Sequence, residues 1–417
     1  MKTAVTVSMI LAVITAVCPA YGQEGATTGS APVQDLSVNV ISPSSVSVNN
    51  LKFRTIKFVC GGLAQQGTPI AANNPPDAGN KTSGSLTISG IPPTASVVRA
   101  DLFWTVLTNS DPATSTTGET ILLNGAPVTG FRIGTPVNET PCFPQAYTIA
   151  YRAIVTNLIT PPGNGVYTVS GAPGGPDISS DFTEGATLQI LWSEPNGPLM
   201  EDNLYHAIAE GDLAGPVAVT RNQLFSQTMA IFGTNAAGPV SATLYEVIGN
   251  GQVNATENLL FDGPCPGDIN LDNTLDGSTS SRAPGTCSST IAGNQCFWDD
   301  DVVAASSQFA CAAGNNATSA DLISAPSEST NDCFDWDALN LLTSTDAAHV
   351  CSFCGIFVDN RCPPDGVWKN HGQYVSCVAH AAEDVLSGLP FDGTCPREEI
   401  QSCCVNPRAR SDVGKKK

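Results

Sequence analysis

Oxygen-bearing side chains recur at every second position between residues 268 and 276. This spacing is typical of a loop that binds a metal ion. The residues are Asp268, Asn270, Asp272, Thr274 and Asp276. Ca²⁺ takes about six to eight oxygen ligands in a flexible shell, and a loop with donors at alternate positions can supply several of them. Thr274 would contribute its backbone carbonyl and the other four residues their side chains. The spacing therefore predicts a calcium-binding loop.

The loop resembles the front half of an EF-hand, and Leu275 stands where that motif has its aliphatic residue. It departs from the motif twice. Asn273 replaces the usual glycine, which is tolerable because asparagine visits the left-handed region. Thr279 stands at the twelfth position, where it cannot supply a bidentate carboxylate, so a late ligand would have to come from further along the chain. A solvated acidic turn without metal is the alternative, since Asp and Asn are common in turns.

An internal repeat suggests that this region is a module of two similar halves. Segments 296–303 and 333–340 both run from a cysteine through aromatic and aspartate residues, and each is followed by a helix-compatible run. A calcium loop followed by an aspartate that opens an apolar helix resembles a dockerin domain, and the resemblance covers about 265–345. It implies that Asp300 serves the first loop and that Asp337 is its counterpart in a second one.

The first 22 residues predict a secretory signal peptide. Lys2 is followed by an apolar run too short to span a bilayer, and small residues stand near the expected cleavage after Gly22. The chain has 15 cysteines, and removal of Cys18 with the signal leaves an even number. An even set suits disulfides in an oxidising compartment. We therefore expect a secreted, extracellular or cell-surface protein.

Charge excludes several classes of partner. The formal net charge is −20, and residues 262–346 carry thirteen acids against the single base Arg282. Nucleic acids and anionic membranes need basic patches, so both are poor partners, and no nucleic-acid partner is expected. Divalent cations are favoured instead, which agrees with Ca²⁺ as the cofactor. No run after the signal reaches about 18 apolar residues, so no membrane span is predicted.

The region 33–263 predicts a β-sandwich. Short alternating apolar–polar runs such as 85–88 and 186–192 are separated by Asn-Gly turns, among them Asn124-Gly125. Segments VRADLFW (98–104), LLNG (122–125), GVYTVSG (165–171), GATL (185–188), VIGNGQ (247–252) and ENLLFDG (257–263) follow in that order. Together they resemble a sandwich domain of unknown function found in secreted and cell-surface proteins of bacteria and archaea. The resemblance covers most of 45–263 and implies an extracellular setting without a catalytic role.

The fold class expected for the whole chain is mainly β. The sandwich would be followed by a small disulfide-rich, dockerin-like α module at 264–354 and a short helical, disulfide-rich C-terminal module at 355–417. Helical spacing of apolar residues predicts a helix from Asn370 to Leu386. The phrases WKNHGQYVS (368–376) and VAHAA (378–382) resemble a short C-terminal module of other secreted bacterial proteins.

Two further cysteine arrangements have alternatives. Cys351 and Cys354 form a C-x-x-C, which is either a redox motif or, as favoured in a cysteine-rich secreted chain, half of two structural bridges. The neighbours Cys403 and Cys404 are expected to pair elsewhere. A zinc site built from His371, Cys377, His380 and Cys362 is disfavoured because the histidines lack a common ligand spacing. We expect His371 to pack or cap near the helix start and Cys377 to join a disulfide.

Enzymatic signals are weak. None of the four histidines lies beside a recognisable nucleophile motif. The acids Glu194, Glu201, Asp202 and Glu210 could supply the carboxylate pair of a glycoside hydrolase. Trp104 and Trp192 could form a carbohydrate-binding face, although both lie in alternating strands that favour burial in a core.

The prediction from sequence is a non-catalytic surface or matrix protein for adhesion or assembly, stabilised by calcium and disulfides. Its partner would be an extracellular protein or polysaccharide. The alternatives are a carbohydrate-binding protein that uses the sandwich and, less favoured, a secreted polysaccharide hydrolase.

Overall fold

Antiparallel strands make up most of the structure, which is a computed structural model. It describes residues 51–70, 72–73, 82–111, 114–133, 137–138, 146–174, 180–207, 224–230, 241–249, 257–262, 269–272, 295–296, 298–309, 317–324 and 335–414. The strands are β1 (Leu51–Pro69), β2 (Ala72–Asn73), β3 (Ser83–Ile88), β4 (Ser96–Thr108), β5 (Thr120–Leu123), β6 (Ala126–Thr129), β7 (Phe131–Arg132), β8 (Val137–Asn138), β9 (Tyr147–Ile154), β10 (Gly165–Ser170), β11 (Phe182–Ser193), β12 (Leu199–Ala207), β13 (Leu224–Ala230), β14 (Ala242–Gly249), β15 (Glu257–Asp262), β16 (Ile269–Asp272), β17 (Gln295–Cys296), β18 (Trp298–Asp299), β19 (Val302–Ala304), β20 (Ala317–Ser324) and β21 (Asp335–Ser344). The helices are α1 (Ala347–Arg361), α2 (His371–Leu386) and α3 (Arg397–Ala409).

A large sheet organises these strands. Its order is β18-β14-β21-β12-β1-β11-β4-β9-β7, with β19 also paired to β14 and β8 to β9. A second sheet has the order β3-β10-β5-β6, and a third has the order β13-β20-β15-β16. The expectation of a mainly β fold is confirmed among the described residues.

The large sheet folds back on itself, so that its two halves face each other. Arg99 on β4 reaches Asp202 on β12, with 2.8 Å between Nη2 and Oδ2, although β11 and β1 lie between those strands. In a flat sheet three strand spacings would separate β4 and β12 by about 14 Å. Thr105 on β4 likewise donates to Asp337 on β21 over 2.6 Å. These contacts define a buried interlayer space between the β1-β11-β4-β9 half and the β12-β21-β14 half.

Alternation along the strands sends side chains to both faces of each half. On one face of the β1-β11-β4-β9 half, residues such as Trp104 and Leu188 pack against Leu86 and Val169 of the second sheet. The Trp104 and Tyr151 rings stack there, with 5.5 Å between their centroids. On the opposite face, the interlayer space holds two apolar clusters around its polar centre. The clusters are Val59, Leu63, Leu191, Met200, Tyr245 and Leu342, and Phe103, Ile133, Leu204, Val247, Trp298 and Ala338.

The segment after Asp337 is a strand. The sequence predicted a helix here, and that prediction is wrong, because β21 lies between β12 and β14 and pairs with both. Its apolar residues serve two buried faces, and Leu339, Leu341 and Leu342 are all buried. The part of 264–354 that contains β18, β19 and β21 therefore belongs to the large sheet. The dockerin-like arrangement gains no support from these residues.

The C-terminal region is helical, as predicted. Asn370 caps α2 through its side chain, which accepts from the backbone N–H of Gln373, and α2 then runs to Leu386 as the apolar spacing indicates. Asp346 caps α1 in the same way through the N–H of His349. The three helices and the β1 residues Phe58 and Cys60 share one apolar core. Among the described helices, none is long and apolar enough to cross a membrane.

Candidate functional site

Of the six predicted calcium ligands, three lie among the described residues, namely Asn270, Asp272 and Asp300. Asn270 and Asp272 lie in β16, which pairs with β15 so that Asn270 is opposite Leu260 and Asp272 is opposite Asn258. Asp268, Thr274 and Asp276 lie outside the described residues, as does the predicted signal peptide. Among the described residues, no group of three or more His, Cys, Asp or Glu side chains is placed to hold a metal ion. Calcium binding by the loop at 268–276 stays a prediction.

Asp300, the expected late ligand, is fully buried. Its carboxyl lies directly over Gly67 of β1, since a Cβ added to that glycine would come within 2.5 Å of the Asp300 Cγ and Oδ1 atoms. The same Cβ would come within 2.9 Å of Thr187 Oγ1 on β11. Asp300 therefore lies in the interlayer space, and Gly67 provides the room that its carboxyl requires.

The centre of the interlayer space holds an ionic network that the sequence reasoning missed. Asp101 accepts from Arg99 Nε over 2.6 Å and from Arg152 Nε over 2.9 Å. Arg99 continues to Asp202 over 2.8 Å, and Asp202 also accepts from Asn340 Nδ2 over 3.1 Å. Two guanidinium groups and two carboxylates thus connect β4, β9, β12 and β21 without net charge.

Burial and ion pairing act in opposite directions on these acids. Burial alone would raise the pKa of Asp101, but the charges of Arg152 and Arg99 and their hydrogen bonds hold its pKa below the usual value. For Asp202 the burial effect is larger than the attraction of Arg99, so its pKa is raised. Arg99 keeps a raised pKa because Asp101 and Asp202 outweigh the cost of its burial. The network is therefore held together by Asp101 as its firmly ionised member.

The sequence of β4 contains a pattern that corresponds to this network. Arg99, Asp101, Phe103 and Thr105 are alternate residues of one strand, so all four project from the same face. Charged residues at alternate positions usually indicate a solvated face, and the single sequence could not distinguish that from a second buried layer.

Asp337 is a further buried acid between the two halves of the sheet whose pKa departs from its usual value. It is buried, and burial raises its pKa to about 7 even though the hydrogen bond from Thr105 acts in the opposite direction. A carboxyl in this state exchanges its proton near neutral pH. This carboxyl links β21 to β4, so a titration there changes a contact between the two halves of the large sheet.

Three of the four acids considered for hydrolysis lie among the described residues. Asp202 is bound by Arg99 and Asn340, and Glu201 is buried and accepts from Asn203 over 2.6 Å. Glu194 accepts from Thr94 Oγ1 over 3.1 Å. Glu210 lies outside the described residues. Glu201 and Asp202 are consecutive strand residues and project to opposite faces, so they do not converge on one substrate.

The two tryptophans proposed for sugar binding differ in position. Trp104 is fully buried, and its Nε1 donates to the Gly118 carbonyl over 2.8 Å, so it is a core residue, as favoured from sequence. Trp192 is half-buried and packs at the margin of the same core, and its ring lies over Gly62. Trp104 therefore offers no open, flat platform, whereas the Trp192 ring is partly exposed.

Disulfides account for the cysteines of the C-terminal region. Cys351 pairs with Cys403, Cys354 with Cys404, and Cys362 with Cys377. The C-x-x-C therefore contributes to two structural bridges, as favoured, and the prediction that neighbouring Cys403 and Cys404 pair elsewhere is confirmed. The bridge between Cys362 and Cys377 removes both thiolates from the zinc alternative.

His371 opens α2 and fastens the end of the chain, as expected of a packing residue. Its Nδ1 lies 2.8 Å from the Val413 carbonyl oxygen, and its Nε2 lies 3.1 Å from that of Ala409. The second zinc candidate, His380, places its Nδ1 2.7 Å from the Ser376 carbonyl oxygen within the same helix.

A fourth disulfide, between Cys60 and Cys395, joins the helices to β1. Around it, the backbone N–H groups of Thr394 and Cys395 both donate to the Pro195 carbonyl, over 2.9 and 3.2 Å. Gly388 lies so close to the strand that an added Cβ would come within 2.3 Å of the Phe58 carbonyl oxygen. The helical module is thus seated tightly on the large sheet.

Comparisons with known proteins identify no family. No protein-family model matches the chain, and no curated protein matches it. Among solved structures, a crystal structure of the infectious bursal disease virus VP2 subviral particle is 13% identical. The match covers 73% of this chain and 75% of that one, with a TM-score of 0.14. That score carries no argument about fold or function.

Proposed function

We propose that this protein is a non-catalytic extracellular scaffold for adhesion or assembly, in which a rigid β body presents a disulfide-fastened helical module to a partner. The observation that supports this most is the bridge between Cys60 and Cys395, which makes the module and the large sheet one covalent unit. Disulfide-dense construction is typical of proteins that work in oxidising, extracellular settings.

The contacts around the bridge support rigid presentation. Lys57 of β1 donates to the Asp384 carbonyl and to the Ser387 hydroxyl, each over 3.3 Å. Phe58 of β1 meets Phe353 of α1 edge to face, with 5.2 Å between ring centroids. Polar, apolar and covalent contacts thus restrain the module together, which favours a fixed surface over a mobile appendage.

The internal chemistry of the sheet also favours a structural role. Asp101, Asp202 and Asp337 are buried between the layers and engaged with Arg99, Arg152 or Thr105. Groups placed in this way hold strands together, and a dissolved substrate would have to open the sheet to reach them.

Calcium has a stabilising part in this proposal. The loop at 268–276 would bind Ca²⁺ and stiffen the acidic segment that follows β15. A bound ion adds RT ln(1 + [L]/Kd) to the free energy of unfolding, roughly 2.7 kcal/mol at a hundredfold excess over Kd.

Binding by the oxidised full chain tests the proposal. Beads coated with the protein would be exposed to the surface fraction of the producing cells and to a panel of purified extracellular polysaccharides. We expect attachment to one of these that is lost after reduction and alkylation of the coated protein. The matched control is the Cys60→Ala/Cys395→Ala variant, which releases the module but leaves its three internal bridges.

Two outcomes would contradict the scaffold proposal. One is turnover of a polysaccharide that disappears in the Glu194→Gln variant, which would indicate a hydrolase. The other is attachment to no surface component by protein that is folded and oxidised.

A further inference from the structure

Glu246 of β14 has a buried carboxyl group that no described contact neutralises. The residue is fully buried, and neither Oε1 nor Oε2 accepts a hydrogen bond. Leaving a buried carboxylate unpaired is costly, and such groups in native proteins usually indicate a bound proton, water or ion. The question is therefore what compensates this charge.

The residue opposite Glu246 is another acid. In the β14–β19 and β14–β18 ladders, Tyr245 pairs with Val302 and Ile248 with Asp299, and continuous register places Glu246 opposite Asp301. The Glu246 N–H donates to the Asp301 carbonyl over 2.9 Å, which confirms the alignment. Directly opposed residues of antiparallel strands share one face, and like charges there repel each other.

A third residue fixes the backbone of this acid pair. The Gln65 side-chain amide donates to the Glu246 carbonyl over 2.9 Å and to the Asp301 carbonyl over 3.2 Å. Gln65 is itself oriented by Gln189, whose Nε2 donates to Gln65 Oε1 over 2.7 Å. The positions from which the two carboxyl groups project are therefore held by β1 and β11.

Burial, followed by the charge of Asp301, raises the pKa of Glu246 well above its usual value. A proton could therefore compensate the charge, and so could a metal ion. Asp301 is half-buried as a residue while its Oδ2 atom is buried, so this acid pair lies where the interior meets the surface. Hard divalent cations prefer carboxylate oxygens and keep water in their shell, so a pair of carboxylates at the edge of the interior suits them.

We propose that Glu246 and Asp301 together bind a divalent cation of the calcium type, at a site separate from the predicted loop at 268–276. Glu246 supplies two carboxylate oxygens and Asp301 at least its Oδ2, and water completes the shell. No third acidic or histidine ligand joins them among the described residues. The site is accordingly weaker than a full protein cage and competes directly with protonation of Glu246.

Calorimetric titration of Ca²⁺ into the oxidised, metal-stripped full chain near pH 7.5 tests this site. The loop variant Asp268→Ala/Asp272→Ala should retain one equivalent of binding. Adding Glu246→Gln or Asp301→Asn to that variant should abolish it. Glu201→Gln is the matched control, because Glu201 is a buried strand acid that already accepts from Asn203, and it should leave binding unchanged.

Thermal unfolding gives a second readout, because the difference in Tm between Glu246→Gln and the wild type should change sign when Ca²⁺ is added. In chelator, Glu246→Gln should raise the Tm because it removes a buried ionisable group, whereas in excess Ca²⁺ the wild type should have the higher Tm.

The proposal is overturned if the loop variant binds no Ca²⁺. It is equally overturned if the Glu246→Gln and Asp301→Asn chains keep every equivalent. Asp301→Asn decides the matter should Glu246→Gln fail to fold, since Asp301 is half-buried. These outcomes do not bear on the scaffold proposal, which the attachment assay tests separately.

Discussion

Cys60 and Cys395 are bonded to each other although 335 residues separate them, with 5.9 Å between their Cα atoms. Cys60 lies in the long strand β1 at the middle of the large sheet, and Cys395 lies two residues before the start of α3. The bridge therefore closes most of the described chain into one covalent loop and sets the helical module on a fixed part of the sheet.

Removal of this bridge in Cys60→Ala/Cys395→Ala should lower the free energy of unfolding by roughly 2–5 kcal/mol, because a long loop of the unfolded chain is released. Denaturant unfolding under oxidising conditions measures the loss. The control is Cys362→Ala/Cys377→Ala, whose bridge closes a separation of only 15 residues. A loss in the control that equals or exceeds that of the long bridge would contradict the expectation.

The buried ionic network should be sensitive to its central arginine. Arg99→Met leaves Asp101 and Asp202 buried with one cationic partner fewer, and breaking a buried pair in this way costs about 3–5 kcal/mol. Chemical denaturation provides the measurement. Arg361→Met is the matched control, since its pair with Asp384 is about half-exposed and should be worth at most about 1 kcal/mol. Similar losses in the two variants would show that the network is not tightly buried.

Because of Asp337, the protein should be more stable in mild acid than above neutral pH. Its folded pKa of about 7 lies above the ordinary 3.8, so the folded state binds the extra proton between those two values. Its contribution is therefore complete below the unfolded pKa and is lost as pH rises through about 7. The free energy of unfolding at pH 5.5 should exceed that at pH 8.

The Asp337→Asn variant isolates this effect, because its amide oxygen can still accept from Thr105. The difference in stability between wild type and variant should grow in favour of the variant as pH rises from 5.5 to 8. Asp101 acts in the opposite direction and at lower pH, since its folded pKa is depressed. A difference that stays constant across this range would refute the assignment to Asp337.

Trp298 packs so closely on Gly185 that a residue with a side chain should not fit at this position. A Cβ on Gly185 would lie 2.2 Å from Trp298 Cγ, and the indole is held in place because its Nε1 donates to Thr187 over 2.8 Å. Gly185→Ala should destabilise the protein by at least about 1–3 kcal/mol and shift the indole fluorescence.

Gly355→Ala is the matched control for this steric test. The glycine lies in α1, and an added Cβ would first meet Arg408 Nη2 at 3.1 Å. The Gly355→Ala substitution should cost far less, because alanine favours the helix and a contact at 3.1 Å needs a much smaller adjustment than one at 2.2 Å. Equal tolerance of both alanines would contradict the packing described here.

Local signals were sufficient for the helix α2. The apolar spacing after Asn370 and its capping side chain predict α2 within a residue of its observed start. The assignment of Cys351 and Cys354 to separate structural bridges also followed from composition and setting. The partners themselves required the structure, because connectivity depends on how three helices pack and not on spacing along the chain.

The region around Asp337 shows where local signals fail. The run from Ala338 to Leu342 is short and apolar, and periodicity alone cannot distinguish a buried strand from a helix of that length. Pairing with β12 on one side and β14 on the other selects the strand. The missed partnership of Arg99 with Asp202 has the same origin, since it joins strands that are three positions apart in a folded-back sheet.

By itself, the sequence determined the mainly β character, the acidic charge, the disulfide-rich C-terminal region and the helix after Asn370, because each depends on composition or on periods of a few residues. It also predicts the calcium loop at 268–276. Only the tertiary structure decided that Asp300 lies over Gly67, that Glu246 faces Asp301 and that Cys60 meets Cys395. Those relationships join residues distant in the chain, and they exist only once strands have paired and the large sheet has folded back on itself.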